Sequence, residues 1–118
     1  MKHFTSKTQK TGEIGEEKAC IFLVKQGFSI IERNVANKFG EIDIVAKKGG
    51  LLHFFEVKTG KKSGFINPAE NLTKEKLRKF FISVEHYCLL KSIRQYKVQG
   101  LIVLIDGESA TTEIIDLS

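Results

Sequence analysis

The sequence predicts a single α/β domain whose elements follow the order α-β-β-β-α-β-β. Two segments repeat apolar residues at helical spacing, and five shorter segments are rich in β-branched and aromatic residues. Glycine-containing turns separate several of these segments. The chain has 118 residues, of which 42% are hydrophobic and 28% are charged. It can therefore bury one ordinary core without disulfides.

The two helices are predicted over residues 12–26 and 71–91, and Gly27 is a suitable end for the first. Residues 1–10 are basic and lack periodicity, so we expect a mobile arm ahead of a domain that spans residues 11–118. The second helix is amphipathic. Its inner stripe is expected to contain Leu77, Phe81, Val84, Cys88 and Lys91.

The strands are predicted over residues 28–35, 41–47, 51–59, 98–105 and 111–117. The Lys48-Gly49-Gly50 segment is typical of a tight hairpin, so the second and third strands should be antiparallel. The fourth strand contains the unbroken apolar run LIVLI, which is typical of a strand buried on both faces. Residues 60–70 form the one long loop, where function often lies.

Composition limits the partners and the compartment. The net charge of +5 favours a phosphate polyanion as partner, although a soluble protein with no such partner can carry the same surplus. Cys20 and Cys88 lack metal-ligand spacing and are expected to be buried free thiols in a reducing compartment. No apolar run approaches the roughly 18 residues of a membrane span, and no secretory segment precedes the first helix. A cytoplasmic protein without membrane contact is expected.

Three charged residues on two neighbouring strands are the candidates for chemistry. Asp43 is expected on the strand face opposite Ile42 and Ile44, and period-two alternation puts Glu56 and Lys58 on one face of the next strand. Taken singly, a solvent-facing aspartate and an exposed Glu–Lys pair are ordinary features.

Together, the three residues are more informative. The hairpin makes Asp43 and Glu56 near cross-strand neighbours, within reach of one cation. Two carboxylates with water suit Mg²⁺, and an adjacent ammonium such as Lys58 can stabilise charge that develops on a phosphate.

Two further groups of residues extend this candidate site. Glu16 lies at the border of the buried stripe of the first helix and could point at the sheet, although it is equally a first-turn acid favoured by the helix dipole. The basic residues that could face phosphate lie in the long loop and in the first turns of the second helix. They are Lys61, Lys62, Lys74 and Lys76.

Several motifs in this sequence resemble those of the YraN family of small bacterial proteins, over residues 12 to about 105. They are Gly12-x-x-Gly15-Glu16-x-x-Ala19, Gly27-Phe28, Gly40-Glu41-Ile42-Asp43, Phe55-Glu56-Val57-Lys58-Thr59 and Thr73-x-x-Lys76. That family is similar to the restriction-endonuclease-like PD-(D/E)xK superfamily, and to Holliday-junction resolvases in particular. Two positions depart from the superfamily pattern: Ile42 replaces a proline, and Gly60 stands where a basic residue often follows.

The resemblance implies a fold, a cofactor and roles for individual residues. The fold would be a restriction-endonuclease-like mixed sheet flanked by helices. Asp43 and Glu56 would ligate Mg²⁺ or Mn²⁺, with the Val57 carbonyl as an optional further ligand, and Lys58 would position the attacking water. Glu16 would be the helix acid of the resolvase-like branch, and Lys76 would face phosphate. By analogy with resolvases, the protein would be a homodimer.

The function predicted from the sequence is a metal-dependent endonuclease that hydrolyses DNA, with branched or junction DNA as one substrate class. The first alternative is a non-catalytic nucleic-acid-binding module on a nuclease scaffold. The second is a structural or interaction protein. Among the other polar residues, His53 is expected to be packed or at an edge, and His86 and Tyr87 are expected at an interface or on the surface.

Overall fold

A computed structural model describes residues 7–62 and 72–118 of the chain. Within them the element order is α-β-β-β-α-β-β, as the sequence predicts. The elements are α1 (Lys7–Lys25), β1 (Ser29–Asn37), β2 (Gly40–Lys48), β3 (Leu51–Lys61), α2 (Lys74–Leu90), β4 (Tyr96–Asp106) and β5 (Ser109–Asp116).

The described strands form one mixed sheet in the order β1-β2-β3-β4-β5. Neighbouring strands are antiparallel except for β3 and β4, which are parallel. A parallel pair needs a crossover connection, and α2 lies in that connection. The expected mixed sheet flanked by helices is therefore present.

Two apolar cores lie on the two faces of the sheet. Ala19 and Leu23 of α1 pack against Phe55 and neighbouring residues to form what we call the α1-side core. The α2-side core contains Phe80 and Val84 of α2 with Phe54, Ile42 and Val98. Successive residues of β3, Phe54 and Phe55, thus enter opposite cores, as strand alternation requires.

Two sequence predictions about the strands are confirmed. Gly49 and Gly50 have φ values of +60° and +79°, the left-handed backbone that a two-residue hairpin favours, and β2 and β3 are antiparallel. Residues 98–103 of β4 are all buried, with Val98 in the α2-side core and Leu101 and Val103 in the α1-side core.

Helix α1 begins at Lys7, five residues before the predicted start. The segment expected to be a mobile arm therefore overlaps α1, and residues 1–6 lie outside the described part of the chain. Gly60 and Lys61 extend β3 rather than opening the long loop. The remainder of that loop, residues 63–70, also lies outside the described residues.

The predicted inner stripe of α2 is wrong in part. Val84 and Cys88 are buried, but Phe80, Ser83 and Tyr87 accompany them, and Lys91 is exposed. The prediction of Tyr87 at an interface or on the surface is wrong, because Tyr87 is buried. Its hydroxyl donates to Glu32 Oε1 at 2.6 Å, which satisfies the polar end of the ring and allows the remainder to be buried.

The start of α2 is fixed by a cap rather than by its apolar pattern. The Thr73 side chain accepts a hydrogen bond from the Lys76 backbone N–H at 3.3 Å, so the helix begins at Lys74 instead of residue 71. Both cysteines are buried free thiols, as predicted. No helix among the described residues is long and apolar enough to cross a membrane.

Gly15 allows α1 to lie directly against β3. A Cβ atom at this position would lie 2.7 Å from Thr59 Cβ and 2.6 Å from Thr59 Cγ2, closer than real side chains approach. Gly12 lies one turn earlier in the same helix. Apart from its chain neighbours and the backbone of its own helix, no atom of the described residues lies within 4 Å of its ideal Cβ position.

We predict that Gly15→Ala destabilises the protein by about 1–3 kcal/mol because it overpacks the α1–β3 contact. Gly12→Ala is the matched control and should stabilise by about 0.5–1 kcal/mol through helix propensity alone. The measurement is urea unfolding of both variants. A stabilising Gly15→Ala, or an equal cost in a Thr59→Gly background, would contradict the packing explanation.

Candidate functional site

The sheet divides where the predicted site lies. Strands β2 and β3 pair from Lys48↔Leu51 to Ile44↔Phe55 and no further. Beyond that point β2 continues only with β1, while β3 continues with β4 as far as Lys61↔Ile105. We call this division the fork. Asp43 and Glu56 are the first residues past the last pair.

The Asp43 carboxylate spans the fork. Its Oδ2 atom accepts a hydrogen bond from the Val57 backbone N–H at 2.7 Å. The side chain thereby supplies an acceptor where the β2 backbone has left the ladder. This bond fixes the half-buried carboxylate beside β3, next to the Glu56 backbone.

The prediction that Ile42 and Ile44 lie on the same face of β2 is wrong. Ile42 packs in the α2-side core with Val45, whereas Ile44 packs in the α1-side core. Regular alternation is interrupted at Asp43. On the neighbouring strand the facing position is Asn34, whose φ of +52° is left-handed, so both strands are distorted at the same level.

The structure brings five of the predicted residues together at the fork. Asp43, Glu56 and Lys58 are half-buried on β2 and β3, and the half-buried Glu16 of α1 lies near enough for its charge to raise the pKa of Asp43. Lys76 approaches from the first turn of α2. A cavity of about 200 Å³ opens at this point. Its lining is Gly40, Glu41, Asp43, Glu56, Lys76, Lys79 and Phe80.

Burial raises the pKa of both central carboxyls, and the charges of nearby carboxylates raise it further. Burial raises the pKa of Asp43 to about 7, with further increases from Glu16 and Glu41, although the Val57 N–H and Lys58 oppose the shift. Burial also raises the pKa of Glu56 to about 8, and the charge of Asp43 adds to this effect. Holding these two charges together near neutral pH therefore destabilises the folded chain.

The remaining charged groups tune the same site. Burial and the adjacent Lys76 ammonium lower the pKa of Lys58. Burial raises the pKa of Glu16, although the Arg33 guanidinium opposes that shift. Glu13 and Glu17 are exposed, so Glu16 is the acid of this helix segment that turns toward the sheet.

Two residues of the site were missed by sequence reasoning. Glu41 and Lys79 line the cavity beside Asp43 and Glu56. No sequence signal marks Glu41, because regular alternation is interrupted at Asp43 and the contacts of Glu41 depend on that distortion. For Lys79 the signal was its place three residues after Lys76, on the same side of a helix.

The other predicted basic residues lie apart from the cavity. Lys61 and Lys62 are exposed at the end of β3, and Lys74 is exposed at the start of α2. None of the three is among the residues that line the cavity within the described part of the chain, and neither are Lys58 and Glu16, which lie beside it.

The predicted packing role of His53 is confirmed. It is buried, its Nδ1 atom is 2.7 Å from Gln99 Oε1, and its ring stacks on Phe55 and meets the edge of Phe28. His86 is half-buried and contacts Phe39 edge-on.

The donor set at the fork suits a hard divalent cation held in part by water. Asp43 and Glu56 offer carboxylate oxygens in a partly desolvated site, and their repulsion would be relieved by a cation between them. Among residues 7–62 and 72–118, no group of three or more His, Cys, Asp and Glu side chains could hold a metal ion. A cation here would therefore keep several water ligands, as Mg²⁺ usually does.

The fold and the site define an α/β protein with a carboxylate–lysine cluster at the fork of a mixed sheet. The chain belongs to the family described as "Uncharacterised protein family UPF0102", also called YraN, whose model matches residues 15–106. The matched segment contains Glu16, Asp43, Glu56, Lys58 and Lys76.

Similar proteins cover most of the chain. A UPF0102 protein of a Nitratiruptor species is 39% identical over 98 residues, which are 82% of this chain and 85% of that protein. A UPF0102 protein of Campylobacter jejuni is 49% identical over 82 residues, 70% of this chain and 71% of the relative. One of a Sulfurovum species is 45% identical over 94 residues, 78% and 81% of the two chains.

We predict that the metal-free protein loses stability as pH rises from about 4 to about 8. Folding raises the pKa of Asp43 from 3.8 to about 7 and that of Glu56 from 4.5 to about 8, so the folded state binds these protons more tightly. The two carboxyls contribute their full stabilising free energy at pH values below their unfolded-state pKa values. This contribution is lost as the pH rises through their folded-state pKa values. Thermal unfolding in EDTA measures the effect.

Glu56→Gln should flatten this pH dependence and stabilise the protein at pH 8 by about 1–3 kcal/mol, since one pKa unit is worth about 1.4 kcal/mol. Glu85→Gln, on the exposed side of α2, is the control and should leave the profile unchanged. If the stability of the wild type rose between pH 5 and pH 8 relative to that of Glu56→Gln, the raised pKa of Glu56 would be contradicted.

Proposed function

We propose that this protein is a metal-dependent nuclease that hydrolyses phosphodiester bonds in DNA. The observation that carries the proposal is the convergence of Asp43, Glu56 and Lys58 at the fork of the sheet. The resemblance of these motifs to the restriction-endonuclease-like superfamily supports the same function. By analogy with resolvases, we propose branched DNA as a substrate class and a homodimer as the active form.

Asp43 and Glu56 would hold the cation, Mg²⁺ or Mn²⁺. Both carboxylates are partly desolvated and repel each other, so a divalent cation would remove an unfavourable interaction as well as gain two ligands. When bound, the cation supplies Lewis acidity toward a phosphate oxygen.

The size and the lining of the cavity favour recognition of the phosphate backbone. Its volume of about 200 Å³ lies below the roughly 300–1,000 Å³ of pockets that enclose drug-sized ligands. A cavity of this volume is suited to a phosphate group. Lys76 and Lys79 stand at its α2 side, where they would contact non-bridging phosphate oxygens.

Lys58 would act on the water and the phosphate. It lies on the same face of β3 as Glu56, and burial together with the neighbouring Lys76 lowers the pKa of its ammonium. In its charged form it donates hydrogen bonds to an attacking water or to charge that develops on the phosphate. Glu16, on the α1 side, would help to orient the same attacking water.

The second candidate function is a non-catalytic nucleic-acid-binding module. It is favoured by Lys76 and Lys79, which line the cavity and could contact phosphate whether or not a cation is bound. Binding of this kind would depend on salt but not on a divalent cation.

We predict that Asp43→Asn and Glu56→Gln each reduce Mg²⁺- or Mn²⁺-dependent DNA cleavage by about 100-fold or more, because each removes a cation ligand. Lys58→Ala should have an effect of similar size through loss of electrostatic stabilisation, roughly 10²–10³-fold. Cleavage is measured on linear, flapped and four-way DNA, with an EDTA blank and exposed Glu85→Gln as control. Undiminished cleavage by both carboxylate variants would refute the proposed centre.

We predict that Lys76→Gln and Lys79→Gln weaken DNA binding. Each should also lower the slope of log K against log salt by about 0.9 if its lysine neutralises one phosphate. Lys97→Gln is the control, because Lys97 lines a different surface pocket with Tyr96 and Arg94. Binding by fluorescence anisotropy without metal isolates this electrostatic effect. An equal change of slope in Lys97→Gln would mean that the effect is nonspecific.

A further inference from the structure

Asn34 has an unusual backbone conformation at the level of the site. It lies within β1, between the pairs Arg33↔Ile44 and Val35↔Ile42, and therefore faces Asp43 across the strand pair. Its φ of +52° is left-handed, which is uncommon for a residue other than glycine but more accessible to asparagine. Such outliers persist where surrounding contacts require them.

The Asn34 amide connects two acidic residues from different elements. In the orientation that satisfies its hydrogen bonding, Nδ2 donates to Glu16 Oε1 at 2.9 Å and to Glu41 Oε1 at 3.1 Å. Glu16 comes from α1 and Glu41 from β2. The amide is thus a neutral donor placed between two like charges.

The left-handed turn is what makes this contact possible. In a regular strand Arg33 and Val35 would share one face and Asn34 would point to the other. Here Arg33 reaches α1, where it pairs with Glu17 at 3.2 Å, while Val35 packs against the α2-side core. Consecutive residues, Arg33 and Asn34, therefore both contact α1.

We infer that Asn34 is a positioning residue that holds the Glu16 carboxylate beside Asp43 and so ties α1 to the fork. The role of Asn34 in catalysis rests on the proposed function, but the hydrogen bond between Asn34 and Glu16 does not. We assign the effect of Asn34 to its bond with the half-buried Glu16 and not to its bond with the exposed Glu41, so the removal of Asn34 should have no effect once the Glu16 carboxylate is gone.

The test uses two variants that tolerate the same backbone angle. Asn34→Gly keeps the left-handed conformation and removes the amide, whereas Asn34→Asp keeps the shape and replaces the donor with a third carboxylate. We expect a roughly 10–100-fold loss of cleavage for Asn34→Gly, as for other small misplacements of catalytic groups. The loss for Asn34→Asp should be larger. Ser92→Gly, at a second left-handed non-glycine residue, is the control and should leave cleavage unchanged.

A double-mutant cycle with Glu16→Ala separates positioning from a merely structural role. In the Glu16→Ala background, Asn34→Gly should cause no further loss of cleavage or of Mn²⁺ affinity measured by electron paramagnetic resonance. Multiplicative losses, or wild-type behaviour of Asn34→Gly, would overturn the inference.

The contact is also read directly by NMR, through the side-chain amide protons of Asn34. Glu16→Gln and Glu41→Gln should each shift these resonances in the intact protein, and unchanged resonances would overturn the inference. If the wild type cleaves no DNA, the proposed function fails. The double-mutant cycle read by Mn²⁺ affinity and the amide resonances then still decide whether Asn34 positions Glu16.

Discussion

The hydrogen bond from the Val57 N–H to Asp43 Oδ2 is the interaction on which the site depends. Where β2 leaves β3, the sheet loses backbone partners, and an unpaired backbone donor in a partly buried place is costly. A carboxylate satisfies this donor and remains ionisable. The same contact therefore completes the sheet at the fork and places a charge there, so the local fold cannot be separated from the local electrostatics.

The two cores make the fork rigid from both sides. Phe54 and Phe55, which directly precede Glu56, are fully buried in opposite cores, so the backbone that carries Glu56 and Lys58 has little freedom to shift. Glu16 arrives on α1 and Lys76 on α2. Each helix is anchored in its own core, and the sheet between them supplies the central acids. The charged cluster is thus held by packing that contains no charge.

The sequence predicts what depends on local pattern, and it fails where two strands act together. The Gly49-Gly50 hairpin and the buried β4 follow from turn chemistry and apolar runs. The sequence could not predict that Ile42 packs on the opposite face of the sheet from Ile44, because this depends on where β3 stops pairing with β2. The buried Tyr87 depends on Glu32, 55 positions away. Asp43, Glu56 and Lys58 could be grouped because a two-residue hairpin fixes their register, whereas Glu41 and Asn34 acquire their contacts only through the distortion of both strands.

The electrostatics of the fork reduce the stability of the fold at neutral pH. Burial raises the pKa of Asp43 and of Glu56, the charge of Asp43 raises the cost of ionising Glu56, and Glu16 and Glu41 add to the repulsion on Asp43. Uncharged residues of similar shape would give a more stable fold at neutral pH. Perturbed carboxyls of this kind, in a cavity with lysines on one side, are typical of functional sites. A positively charged ligand that binds only the folded state would convert the same repulsion into stability. The arrangement is unfavourable alone and would become favourable with a cation bound, and this difference is the physical reason to propose a metal-dependent function for the fork.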